Sequence, residues 1–273
     1  MPAKGDGALD LIEHACLLRE RVRERAPLVH CMTNFVAMDT AANAVLAIGA
    51  SPAMMHAREE VAEFAAIADA LTVNIGTLSP DWVGSMEVAI DAATHARRPW
   101  VFDPVGVGAT RLRQDAAATL LRLKPTVVRG NASEIMVLAG LTDSGQKGVD
   151  STHDASEAEA PARQLAKAVG CVVVVTGAID IATDGTRMLR IANGHPLMPR
   201  VTALGCALTA ITGAFLAVGD DALRSAAVAT ALFGLAGEIA AQDARGPGSL
   251  RVGLMDSLHN LDAAAIRAGL RLS

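Results

Sequence analysis

Residues 171–176 read Cys171-Val172-Val173-Val174-Val175-Thr176, a continuous β-branched run that fits a strand covered on both faces. Such a strand belongs at the centre of a sheet. Upstream of it, short apolar runs at Leu28 to Met32, Ala53 to Met55, Leu71 to Ile75, Trp100 to Phe102 and Thr126 to Arg129 read as further strands. Helical patterns separate them, among them Met38 to Ile48, Arg58 to Ala70 and Ser85 to Ala96, and Ala8 to Arg25 precedes the first strand. That alternation is the βαβ rhythm of a largely parallel sheet. Downstream, Ile179 to Thr183 and Arg187 to Ile191 flank Asp184-Gly185-Thr186, a hairpin signal that predicts an antiparallel edge. From Cys206 onward the pattern is helical nearly to the end, with one interruption at Gly246-Pro247-Gly248. No internal repeat or low-complexity linker divides the chain, so residues 1–273 are expected to form one α/β domain.

Composition narrows the function classes. Apolar residues make up 51% of the 273 positions and charged residues 19%, enough to build one large core. Tyr is absent and aromatics total 3%, so the core is expected to be closely packed Ala, Leu, Val and Ile, and a stacking platform for bases is not expected. A formal net charge of −5, with basic residues clustered only at Arg19, Arg21, Arg23 and Arg25, gives little support to nucleic-acid binding. Cys16, Cys31, Cys171 and Cys206 show neither C-x-x-C spacing nor histidine partners at metal spacing, which fits a reduced, cytoplasmic compartment. The N-terminus has no continuous apolar core of a secretion signal, and the apolar runs are broken by Gly, Thr or charge, so membrane insertion is not expected.

Ligands on open α/β sheets bind beyond the carboxyl ends of the strands. Asp103, in Asp103-Pro104-Val105-Gly106, follows a strand and offers a carboxylate to a magnesium ion, although Asp-Pro is also ordinary turn chemistry. Arg129 ends the next strand and is suited to gripping phosphate bidentately. Glu134 follows one helical turn later, able to orient metal-bound water and equally able to close a capping box with Asn131. Thr176-Gly177 presents a hydroxyl at a strand end. Val201-Thr202-Ala203-Leu204-Gly205-Cys206 opens a long apolar helix, whose free N–H groups at Gly205 form an anion site and whose dipole would lower the pKa of Cys206. Cys206 reads alternatively as a small buried hydrophobe. The convergence of these residues on one sheet edge favours phosphoryl transfer. Neither G-x-x-x-x-G-K-[ST] nor an opening G-x-G-x-x-G is present, which excludes a P-loop enzyme and a Rossmann dehydrogenase. His30, His56 and His195 are scattered singly and read as structural or surface residues.

The ordered series His30-Cys31-Met32-Thr33-Asn34, Gly49-Ala50-Ser51-Pro52-Ala53-Met54, Asn74-Ile75-Gly76-Thr77-Leu78, Asp103 to Gly106, Arg129 to Glu134, Gly148-Val149-Asp150-Ser151, Thr176-Gly177, Val201 to Cys206 and Gly246-Pro247-Gly248-Ser249 resembles the hydroxyethylthiazole kinase family. The resemblance runs through most of the chain. It implies a ribokinase-like three-layer α/β/α sandwich with a central, mostly parallel sheet and an antiparallel edge. It further implies phosphorylation of the primary alcohol of 4-methyl-5-(2-hydroxyethyl)thiazole in thiamine salvage, with ATP as co-substrate and Mg2+ as cofactor. Met54 and Ala203 match the family's thiazole-binding positions, Arg129 and Thr176 its ATP contacts, and Cys206 the residue beside the reacting hydroxyl. A homotrimer with sites between neighbouring subunits is implied as well. This chain departs from the family's T-G-x-G-C at Ala203 and Leu204, which places nucleotide affinity in question: Leu204 is expected to narrow the anion loop, and Ala203 to be tolerated unless its φ is positive.

On this reading Arg129, magnesium and the Gly205 and Cys206 N–H groups share the charge of the γ-phosphoryl, while Cys206 orients the hydroxyl and accepts its proton late. Competing readings are a kinase for hydroxymethylpyrimidine or a small sugar alcohol, an acyl transferase with Cys206 as nucleophile, and a non-catalytic trimeric scaffold. The polar stretch Thr142 to Glu159 is the expected mobile segment beside the ATP site.

Overall fold

The computed structural model describes residues 6–142 and 155–273. The chain opens with α1 (Asp6–Arg25), β1 (Leu28–Met32), α2 (Met38–Ala47), β2 (Ser51–Ala53), α3 (Val61–Ile67), β3 (Ala70–Asn74), α4 (Pro80–His95), β4 (Trp100–Asp103), α5 (Arg111–Leu121), β5 (Val127–Asn131) and α6 (Ala132–Thr142). It continues with α7 (Glu159–Val169), β6 (Val172–Thr176), β7 (Asp180–Thr183), β8 (Met188–Ile191), a short 3-10 turn at Met198–Arg200, α8 (Leu204–Val218), α9 (Ala222–Gln242), α10 (Pro247–Asn260) and α11 (Ala263–Gly269).

Among the described residues eight strands lie in one sheet, ordered β2-β1-β3-β4-β5-β6-β7-β8. Pairing is parallel from β2 through β6 and antiparallel for β7 and β8. The valine run occupies β6, the sixth strand and the last of the parallel set, and is interior rather than central. Its composition follows from the pleat, which sends successive side chains to opposite faces. Val172 and Val174 enter the core beneath α1, α2, α8, α9 and α10, whereas Val173 and Val175 enter the core beneath α4, α5, α6 and α7. Two apolar layers on one sheet make the three-layer sandwich.

The alanine-rich helices pack close to the strands. A Cβ on Gly213 of α8 would sit 2.8 Å from the Thr72 methyl of β3, so only glycine permits that approach. By length and composition α9 could cross a membrane, yet 78% of its apolar window is buried inside the fold, which accounts for its apolarity.

Several boundaries differ from the sequence expectation for local reasons. The helix expected over Arg58 to Ala70 is confined to Val61–Ile67, because Ala70 starts β3 and pairs with Val29. The strand expected at Ala53 to Met55 ends at Ala53 and leaves Met54 in a loop. The helical C-terminal half breaks three times, not once. Besides Gly246, the capping side chains of Asp221 and Asp262 accept backbone N–H bonds at the starts of α9 and α11. Most of the Thr142 to Glu159 stretch, with Gly148 to Ser151, lies outside the described residues.

Candidate active site

The carboxyl ends of the parallel strands place a row of polar side chains along one edge. Asn34 follows β1, Asn74 closes β3, Asp103 closes β4, Arg129 lies in β5 and Thr176 closes β6. Register aligns Asn74 with Asp103 and Asn131 with Thr176. The row is continuous. Asn34 Nδ2 donates to Cys206 Sγ at 3.3 Å and to Asn74 Oδ1 at 2.9 Å. Asn74 Nδ2 donates to Asp103 Oδ2 at 2.7 Å, and Thr209 Oγ1 on α8 donates to the same oxygen at 2.8 Å. Arg129 stands 3.7 Å from Asp103 Oδ2 and donates to Thr176 Oγ1 at 3.0 Å.

Both amide orientations are set by the backbone. Asn34 Oδ1 accepts from Ala37 N at 3.1 Å and Asn74 Oδ1 from Gly76 N at 2.9 Å, so each side chain must turn its donors toward the site. Asp103 is fully buried, and burial pushes its pKa up to about 6 despite the opposing pull of Arg129. Its Oδ1 is buried without a hydrogen-bond partner among the described residues.

Glu134 adopts the capping-box reading of its sequence position. Its Oε2 accepts from Asn131 N at 2.9 Å while Asn131 Oδ1 accepts from Glu134 N at 2.9 Å, which is the capping box. Its Oε1 accepts from Gly106 N at 2.9 Å and ties the loop after β4 to the start of α6. Thr176 donates to Gly130 O at 3.4 Å, so its hydroxyl serves the strand end as well as facing the site.

The turn before α8 is built under constraint. Ala203 adopts φ 67° and ψ 2°, left-handed backbone in which an L side chain is strained. The departure from glycine at this position therefore carries a conformational cost. Leu204 is buried in the apolar core on the α8 side of the sheet. Gly205 leaves room for Arg129: a Cβ there would come 2.7 Å from the guanidinium, which would have to shift. The first α8 backbone bond runs from Ala207 N to Ala203 O at 2.9 Å, leaving the N–H groups of Leu204, Gly205 and Cys206 ahead of it at the helix start.

The Cys206 thiol corrects another expectation. Burial, then the nearby Asp103 charge, pushes its pKa up to about 11, against the lowering assigned to the helix dipole. Desolvation is the largest influence on this thiol. At neutral pH the sulfur keeps its proton, which argues against the expected role as acceptor of the hydroxyl proton.

Met54 is half-buried in the loop after β2, packed against the α8 side of the core. Asn34, Asn74, Thr209 and Arg113 join the residues expected from the sequence, although Asn34 lies beyond the expected strand Leu28 to Met32 and Asn74 inside Leu71 to Ile75. Arg113 on α5 donates to the carbonyls of Ile75, Val105 and Gly76 at 2.5, 2.8 and 2.7 Å, clamping the loops that follow β3 and β4. Asp180, half-buried at the start of β7, accepts from Gly177 N at 2.8 Å. Burial lifts its pKa to about 6.

A sequence profile described as the Hydroxyethylthiazole kinase family matches residues 19–264. A hydroxyethylthiazole kinase of Cereibacter sphaeroides is 58% identical over 253 residues, covering 93% of this chain and 96% of that protein. The chain belongs to the hydroxyethylthiazole kinase family. A hydroxyethylthiazole kinase of Rhizobium leguminosarum is 55% identical over 92% of this chain and 94% of its own length. The solved structure of the hydroxyethylthiazole kinase protein from Pyrococcus horikoshii superposes with a TM-score of 0.89 at 41% identity, over 96% of this chain and 98% of that one. A Staphylococcus aureus pyridoxal kinase in complex with AMP-PCP and pyridoxal shares the fold, with a TM-score of 0.59 at 17% identity. As a member of this kinase family, the chain is an enzyme of phosphoryl transfer that uses ATP as co-substrate and a small molecule as acceptor.

Proposed function

We propose that this chain phosphorylates the primary hydroxyl of 4-methyl-5-(2-hydroxyethyl)thiazole at the sheet edge between Cys206 and Arg129. The observation that carries the reading is the unbroken chain of hydrogen bonds from Cys206 through Asn34 and Asn74 to Asp103. It joins the acceptor position to a buried carboxylate beside Arg129. Met54 and Ala203 take the thiazole, Arg129, Thr176 and Gly205 the nucleotide phosphates, and Cys206 the acceptor hydroxyl.

The residues present fit a magnesium ion. Asp103 Oδ1 is buried and unpartnered, Glu134 keeps lone pairs beyond the two it gives to backbone N–H groups, and such an ion is commonly held by one or two carboxylates together with water and phosphate. Among the described residues no three or more His, Cys, Asp and Glu side chains form an all-protein metal site, in keeping with that mode. When bound, magnesium supplies charge neutralisation on the phosphates. The chain's own groups do the rest. Arg129 and the α8 N–H groups lie where negative charge gathers on the transferring phosphoryl. Cys206 and Asn34 hold the hydroxyl in line; its oxygen forms the new P–O bond, the bond from the γ-phosphorus to the bridging oxygen breaks, and the hydroxyl proton leaves to the phosphoryl oxygens or water. We further propose a cytoplasmic homotrimer: the described cysteines are unpaired, and Phe35 and Val36, 67% and 61% exposed beside Asn34, offer apolar surface to a neighbouring copy.

The test is ³¹P NMR of the purified protein with Mg-ATP and hydroxyethylthiazole, with hydroxymethylpyrimidine in a parallel tube. A new thiazole phosphomonoester resonance is expected. Phosphate appearing only on the pyrimidine moves the acceptor, and no transfer in either tube overturns the reading.

A further inference from the structure

His56 stands in the loop after β2, two residues beyond Met54, and both of its ring nitrogens face backbone carbonyls. Nδ1 lies 3.1 Å from Met54 O within its own loop, and Nε2 lies 3.2 Å from Thr33 O in the loop after β1. The second contact is the informative one. Thr33 precedes Asn34, whose amide touches Cys206. A single imidazole thus ties the backbone carrying Met54 to the backbone carrying the contact to the thiol. Its plane is fixed by Trp82 of α4, stacked on it at 4.5 Å and 22°, with Phe35 packed on the far reach of Trp82 at 4.8 Å. A second histidine steadies the same loop: His30 of β1 reaches Met55 O through Nε2 at 2.8 Å.

In a chain with 2 Trp and 5 Phe, the meeting of Trp82, Phe35 and His56 at the mouth of one loop pair is a concentration of stiff side chains. Rings ordered by stacking hold a hydrogen-bonding atom at a fixed distance with little rotamer freedom. A loop held only by its own turn would leave the separation between Met54 and Asn34 free to vary, and misplacement of about 1 Å between a bound acceptor and its reacting partner is costly.

We infer that His56 is a positioning residue of the acceptor half-site, fixing the distance between the Met54 wall and the Asn34–Cys206 pair through its bond to Thr33 O. The inference rests on the acceptor lying between Met54 and Cys206. A neutral imidazole carries one N–H and so donates to one of the two carbonyls at a time, the bond to Thr33 O requiring the proton on Nε2, and substitutions can remove the two contacts separately. His56→Phe keeps a ring against Trp82 and loses both contacts. His56→Gln reaches as far as Nε2 and preserves the bond between loops, whereas His56→Asn reaches only as far as Nδ1 and preserves the local bond to Met54 O.

The experiment is steady-state kinetics of the full-length protein and the three variants, varying hydroxyethylthiazole and ATP separately, with near-UV circular dichroism and calorimetric ATP binding on each protein. For His56→Phe, kcat/KM for the thiazole is expected to fall about tenfold with the KM for ATP unchanged. His56→Gln is expected to recover most of that loss and His56→Asn little of it. Wild-type kcat/KM in His56→Phe, equal loss toward both substrates, or better recovery by His56→Asn than by His56→Gln overturns the inference. If His56→Phe does not fold, the Gln and Asn variants decide between themselves. Absence of thiazole turnover in the unsubstituted protein would instead overturn the proposed reaction, which keeps the two failures distinguishable.

Discussion

At the scale of single residues, the site concentrates strain and desolvation around α8. Ala203 is the clearest case, because its left-handed backbone is natural to glycine and costs an L residue on the order of 1 kcal/mol. Ala203→Gly is expected to stabilise the protein by about 1 kcal/mol, read as a rise of roughly 2 °C in the thermal midpoint. A lowered midpoint would show that the Ala203 methyl packs well enough to outweigh its strain. Cys206 yields a prediction in pH. Its thiol pKa is pushed up to about 11, so the protonated form dominates throughout neutral and mildly alkaline conditions. If this form does the orienting, single-turnover rates should stay flat between pH 7 and 9, and Cys206→Ser should keep the rate within about threefold. A rate climbing tenfold per pH unit in the native protein, lost in Cys206→Ser, would assign the work to the thiolate. Gly205 shows a different constraint, since a side chain there would displace the Arg129 guanidinium.

At the scale of elements, the site is a product of strand ends aligned by register and loops held from behind. Asn74 and Asp103 face each other because β3 and β4 pair in parallel with those residues as Cα partners. Arg113 holds the following loops by donating three bonds from one planar guanidinium to three carbonyls. Lysine keeps the charge without the fork. Arg113→Lys is therefore expected to lower kcat about tenfold and to destabilise the fold by roughly 1–2 kcal/mol, measured by turnover and urea denaturation. A variant with full activity would show that β3 and β4 hold the loops unaided. The capping box at Asn131 and Glu134 illustrates how a local signal serves two levels. The same carboxylate that starts α6 reaches Gly106 across the edge, a contact that no spacing rule contains because the two residues are 28 positions apart.

At the scale of the whole molecule, the sheet ends in a strand that the C-terminus partly covers. Arg190 and Ser273 exchange backbone hydrogen bonds at 2.7 and 3.0 Å, Ala192 N donates to Arg271 O at 2.9 Å, and the Arg271 guanidinium pairs with Glu238 of α9. Removing residues 271–273 uncovers the β8 edge and is expected to cost about 2 kcal/mol and to promote self-association, checked by thermal melts and light scattering. An unchanged melt would assign the edge's stability to α9 and β7 alone. Much of this molecule was legible in its residues: the alternation of strand and helix, the hairpin at Asp184-Gly185-Thr186, and the strand-end positions of Asp103 and Thr176 follow from local periodicity and turn chemistry. Those are short-range properties that a sequence carries within a few residues. Arg129, expected at a strand end, lies inside β5, which pairing with β6 extends to Asn131. What only the tertiary structure decided depends on long-range proximity and on the loss of water. The Asn34 and Asn74 bridge joins positions 40 residues apart, and Cys206 meets Asn34 across 172. The sign of the Cys206 pKa shift is set first by burial and then by the Asp103 charge, because desolvation depends on everything packed around a group, whereas the helix start that suggested a lowered pKa is a local feature of the sequence.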